Sequence, residues 1–95
     1  VVGLNNEGVS YYRKGELDKA VEILYQAAER LSGNRVINLN AAQAILGLIV
    51  KQGVDEQRIR MLDDCLSRIP PEKQDEKYRK LHGLFEQFVH KLSPV

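Results

Sequence analysis

Three groups of side chains in this 95-residue chain have types and spacing that could do chemistry. His82, Glu86 and His90 follow one another at i, i+4 and i+8, so on a helix they share one stripe and could offer a metal two nitrogens and a carboxylate. Zinc wants three or four ligands converging on one point, whereas ligands spread over two turns of one helix diverge. The spacing therefore argues for His82 in a tight packing position and His90 in solvent. Cys65 is the one thiol, and no acid–base pair accompanies it at a recognisable spacing, so it reads as a small buried hydrophobe rather than a nucleophile. The third group is Asn38, Asn40 and Gln43, the polar residues of an otherwise apolar run from 36 to 50. An amide both donates and accepts, so it can satisfy the backbone of a bound peptide or bond to neighbouring helices inside a core. Asn40 and Gln43 suit the first role, and Asn38 the second.

The run that carries these amides, Val36 to Val50, holds no charge and places apolar side chains on every side of a 3.6-residue helix. It is too short and too rich in amides to span a bilayer. Such a helix must be covered from at least two sides by more amphipathic segments. Gly15, Gly33, Gly53, Pro70-Pro71 and Pro94 sit where the boundaries of those segments would fall. Between them lie five segments of helical length, about 3–14, 16–31, 36–52, 55–69 and 72–92, and none alternates with period two for long. The pattern predicts an all-α fold. Gly8 in the first segment costs helix stability unless another backbone must come close. Leu17, Ala20, Val21, Leu24, Ala27, Ala28 and Leu31 form the buried stripe of the second, with Tyr25 off it on the outer face; Gly33 or Asn34 is expected to end that helix in the left-handed conformation. Asp55 is the expected N-cap of the fourth segment, with Val54 and Ile59 as its hydrophobic staple. Tyr78, Leu81, Phe85, Phe88, Val89 and Leu92 turn inward on the fifth, whose other face is charged, as a solvating end helix requires.

Fourteen basic and thirteen acidic residues leave a net charge of +1, with the signs interleaved along the chain. That pattern shows neither the one-signed basic face of a nucleic-acid binder nor the charge block of a membrane-surface helix. A single Cys excludes an intrachain disulfide, and no signal-peptide pattern or run of eighteen apolar residues occurs, so the cytoplasm is the expected compartment. The chain opens at Val1 without a Met and its first segment starts abruptly, which implies a fragment of a longer protein.

Leu4-x-x-Glu7-Gly8-x-x-Tyr11, then Gly15, then Ala20, Leu24 and Ala27 resembles the tetratricopeptide repeat. A looser second copy places Asn38, Ala41-Ala42 and Ile45 in its first helix, Gly53 at the turn, Leu62 and Cys65 in its second helix and Pro70 at the stop. Tyr78-x-x-Leu81-His82-x-x-Phe85 matches the first-helix half alone. Glu7 in place of the usual Leu, Arg58 in place of a small residue and a third segment about one turn too long depart from the pattern. The resemblance implies one domain over residues 1–95, a stack of antiparallel helical hairpins: repeat one at about 3–34, repeat two at about 35–70 and a capping helix at about 72–92. On a finer scale, Leu4-Asn5-Asn6-x-Gly8-Val9 and Val36 to Gln43 resemble the C-terminal repeat tails of some bacterial two-component response regulators, which would put the chain in signal transduction.

In that family the first helix of each repeat lines a concave groove that holds an extended peptide or a partner helix. Carried over residue by residue, the resemblance implies a groove of Asn5, Val9, Tyr12 and Arg13, then Val36, Leu39, Asn40, Gln43 and Gly47, then Arg79, Gly83 and Glu86. Members that grip C-terminal carboxylates use a clamp of Lys, Asn, Asn, Lys and Arg; the matching positions here hold Asn5, Val9, Asn40, Glu76 and Lys80, which implies no strong capture of a free C-terminus. The expected function is a protein–protein interaction module, with no enzyme activity, cofactor, metal, nucleic acid or membrane. The alternative is an oligomerisation or linker module that meets a second copy of itself as a homodimer.

Overall fold

The computed structural model describes residues 2–92, so the boundary expected at Pro94 lies outside the described residues. Five helices follow one another, α1 (Val2–Arg13), α2 (Leu17–Arg30), α3 (Arg35–Gln52), α4 (Glu56–Ser67) and α5 (Glu76–Leu92), with a short 3-10 turn at Pro71–Lys73 and no strand among the described residues. The fold is all-α. Short connections make successive helices antiparallel neighbours. Its extents of 43 × 32 × 20 Å match two helix layers, since packed helices lie about 8–10 Å apart. Helices α1, α3 and α5 form one layer, α2 and α4 the other, and α3 packs against all four of its companions.

The reason for that arrangement is the composition of α3. Ile37, Leu39, Ala41, Ala42, Ala44, Ile45, Leu46, Leu48 and Ile49 are all buried, so most of its circumference is removed from water. Fully burying one such aliphatic side chain contributes about 1.5–3 kcal/mol, and no single neighbouring helix could cover so many. Asn38, 1 % exposed, is the one buried polar residue among the described residues, and it is fully bonded. Its Nδ2 donates to the Ser32 and Asn34 carbonyls, both at 2.9 Å, and its Oδ1 accepts from Arg68 at 3.3 Å. The internal role expected of Asn38 is what the geometry shows.

Caps set the helix boundaries. Asp55 accepts from the Arg58 N–H at 2.8 Å, as expected, and both Val54 and Ile59 pack on the core. Arg58 curls back to Gly53, Asp55 and Gln52 instead of entering the helix interface. Gly15 and Gly53 take positive φ at the two hairpin turns. The left-handed stop expected at Gly33 or Asn34 is absent: Asn34 instead caps the start of α3, accepting from the Ile37 N–H at 3.0 Å. With three residues between α2 and the next N-cap, the loop serves the incoming helix. The fifth helix also starts later than about 72, because Pro71–Lys73 forms a separate 3-10 turn and Asp75 caps α5 through the Tyr78 N–H at 3.0 Å.

Gly8 is where α1 meets α2. A methyl group placed on it would lie 2.5 Å from Leu24 Cγ and 2.7 Å from Leu24 Cδ2, and Leu24 is itself buried with nowhere to retreat. The overpacking term of about 1–3 kcal/mol exceeds the helix propensity gained from Ala, about 0.5–1 kcal/mol. Gly8→Ala is therefore expected to lower the urea midpoint, while Gly83→Ala, whose Cβ would meet nothing within 4 Å, is expected to raise it. Two stabilised variants would contradict the close approach.

Candidate functional site

One stripe of α3 stays uncovered. Val36, Asn40, Gln43, Gly47 and Val50 follow at i, i+4, i+7, i+11 and i+14, with Val36 56 % and Val50 75 % exposed and the three between them half-buried. From Asn40 to Val50 this stripe is the floor of a groove, with Val36 exposed at its end. Asn5, Val9, Tyr12 and Arg13 of α1 flank it on one side, and Lys77, Lys80, Leu81, Leu84 and Phe88 of α5 on the other. Three concavities run along it. A polar one of about 510 Å³ lies around Asn5, Asn6, Ser10, Arg13 and Asn40. An apolar one of about 370 Å³ lies over Gln43, Leu46, Gly47 and Val50, and a third of about 440 Å³ reaches Val54 and Lys91.

The amides divide their work. Asn40 Nδ2 donates to Asn5 Oδ1 at 3.1 Å, which ties α3 to α1 across the polar concavity. The remaining Asn40 oxygen and Asn5 nitrogen make no hydrogen bond among the described residues, and neither does the Gln43 side chain. Gly47 keeps the floor open at the centre, where Leu17 and Tyr12 approach it.

Five of the residues carried over from the repeat pattern line none of these concavities, Val36 because it lies exposed on the stripe beyond them. Leu39 is 2 % exposed and belongs to the core; one residue along a helix turns the side chain by about 100°, which moves Leu39 away from the Asn40 stripe. Arg79, Gly83 and Glu86 lie on another side of α5, since Tyr78 and Leu81 enter the core and set its rotation. Glu86 instead accepts from His82 Nδ1 at 3.2 Å, and His82 stacks on Tyr78 with ring centroids 5.5 Å apart. His90 is exposed, as expected. Leu46, Val50, Lys77, Leu81, Leu84 and Phe88 are groove residues that the repeat pattern did not supply, while Lys80 had entered only through the carboxylate clamp. A signal for Leu84 was present: it is a large apolar residue off the inward stripe of an otherwise amphipathic helix.

Charge differs in sign between the two concave regions. Arg13, Lys77, Lys80 and Lys91 line the groove and, among the described residues, no carboxylate does. Across the molecule, a shallow concavity of about 590 Å³ between α2 and α4 has Asp18, Glu22 and Glu29 at its margin and no cation. Tyr25, expected on the exposed outer face, is half-buried there. Its hydroxyl donates to Asp64 at 2.7 Å, and burial with that bond pushes its pKa up to about 12.

Comparison with protein-family models, curated proteins and solved structures finds no match. Among the described residues no three His, Cys, Asp or Glu side chains are grouped to hold a metal ion, and no helix is long and apolar enough to cross a membrane.

Cys65 sits in the core, and burial pushes its thiol from the ordinary 9.0 up to about 12. At pH 8 that leaves roughly a thousandfold less thiolate than in the unfolded chain. An Ellman reagent is expected to label native protein only through unfolding, and to label it promptly in urea. The sign for stability follows. The folded pKa values of Cys65 and Tyr25 lie above their unfolded ones, so the contribution is intact below pH 9 and is lost as pH rises through about 9 to 12. Urea midpoints at pH 7 and pH 10.5 check this, with the lower value expected at alkaline pH.

Proposed function

We propose that the chain is a protein–protein interaction module that takes a segment of a partner protein into the groove between α1, α3 and α5. The observation that carries the reading is the uncovered stripe of α3: apolar ends at Val36 and Val50, and an amide at Gln43 with no hydrogen-bond partner among the described residues. A helix that is otherwise sealed on every side has no folding reason to leave Val50 in water at the floor of a concavity. The layering of α1, α3 and α5 on one side supports the likeness to tetratricopeptide repeats, in which first helices form the concave wall. On the finer resemblance, the module serves bacterial signal transduction in the cytoplasm. The buried, poorly ionised Cys65 supports a binding role over a catalytic one.

The same apolar stripe would serve a homodimer, but a two-fold contact uses the same patch on both copies and would bury the Lys77 and Lys80 rims of both together. Light scattering over a concentration series is expected to give the monomer mass.

Selection of a displayed random-peptide library against the domain tests the groove. Selected peptides are expected to lose binding to Val50→Asp, a 75 % exposed site where folding stability should change by only about 0.5 kcal/mol, and to Leu84→Asp, whose fold is checked by circular dichroism. Asn40→Ala/Gln43→Ala should weaken them by about 1 kcal/mol for each hydrogen bond removed. Gln26→Ala on the opposite face should leave them unchanged. Peptides indifferent to all groove substitutions would overturn the reading.

A further inference from the structure

The groove, taken as the docking site proposed above, has a floor and a rim that choose among occupants. Its central floor is made by Leu46, Gly47, Val50 and Leu81, none of which offers a side-chain hydrogen bond. An extended peptide laid there would strand its own N–H and C=O groups, with Gln43 as the nearest amide to answer them, whereas a helix satisfies its backbone internally. The uncovered stripe runs from Val36 to Val50, about 21 Å at the helical rise of about 1.5 Å per residue. That length suits a helix of roughly four turns.

The rim supplies the second condition. Arg13, Lys77, Lys80 and Lys91 border the groove, and none of them pairs with a carboxylate among the described residues. Their fields add over a lining that holds no carboxylate among the described residues. A second copy of this chain does not fit. The exposed large apolar side chains among the described residues are Val36, Val50 and Leu84, all on the groove layer, so the acidic α2–α4 face presents no such anchor to insert. We infer that the partner segment is an acidic amphipathic helix, with apolar anchors at i, i+4, i+7 and i+11 and Asp or Glu flanking them. It rests on the docking reading of the groove and adds the conformation and charge of what docks.

Two fluorescein-labelled, C-terminally amidated peptides of about 16 residues, long enough for roughly four helical turns, serve as probes. Both carry Leu at the anchor positions; one is flanked by Glu and the other by Lys, and binding is followed by anisotropy. The Glu peptide is expected to bind about tenfold or more tightly at about 50 mM salt, and the gap should close at about 500 mM salt. Lys77→Glu/Lys80→Glu should invert the preference, and the bound Glu peptide should gain helical circular dichroism. Equal binding by both peptides, abolished by Leu84→Asp, would leave the docking groove standing and overturn the acidic partner. Library-selected peptides that bind the groove while both helices fail would overturn the helical occupant. A dimer broken by Leu84→Asp, or displacement of the peptide by a single-stranded oligonucleotide, would assign the groove to a second copy or to nucleic acid and overturn the inference.

Discussion

Sealing α3 is the constraint on which the structure depends. From Val36 to Val50 that helix carries no charge, and at an edge it would leave much of its apolar surface in water. Four helices in two layers solve the problem, and each is amphipathic because it has one job on its inner side. Close contact is possible where side chains are small: Gly8 against Leu24, with Ala20, Ala27, Ala28, Ala41, Ala42 and Ala44 buried at the interfaces. Asn38 locks the entry of α3. Its three hydrogen bonds join the α2–α3 loop to Arg68 at the end of α4, so the one buried polar side chain among the described residues also sets where two connections lie.

The site follows from what that sealing leaves over. Neighbours in both layers cover most of α3, and the remaining stripe opens between α1 and α5. The residues on it are Val, Asn, Gln, Gly and Val, a mixture that a core position would not hold and that a charged surface helix would not hold either. The rim adds sign. Among the described residues the groove is lined by cations and the α2–α4 concavity by carboxylates, so a chain of net charge +1 has two concavities of opposite sign.

Much of this was legible in the order of residues, and the gaps have physical causes. Five helical segments, the buried α3, the Asp55 cap and the close approach at Gly8 could all be read, because each depends on local periodicity or on one residue's stereochemistry. Asn5, Val9, Tyr12, Arg13, Asn40, Gln43 and Gly47 came from the repeat resemblance, and they lie where α1 and α3 border the groove. Leu39 does not, and the rotation of α5 was not legible, since Arg79, Gly83 and Glu86 were set where Lys80, Leu84 and Phe88 stand. The 3-10 turn at Pro71–Lys73 and the Asp75 cap, which Arg35 holds from across the fold, decide where α5 begins. Arg35 and Asp75 are 40 residues apart, and no local pattern announces such a pair. Charge segregation was hidden likewise: adjacent residues of opposite sign on a helix point to different faces, so an interleaved sequence can fold into a polarised surface.

Methyl NMR with a soluble nitroxide reads which sides of α3 meet water. Strong relaxation of the Val36, Val50 and Leu84 methyls is expected, with those of Ile37, Leu39, Ile45 and Ile49 protected. Protected Val50 together with strongly relaxed Leu39 or Ile45 would put α3 at an edge or in another rotation. The groove built on its uncovered stripe would then not exist.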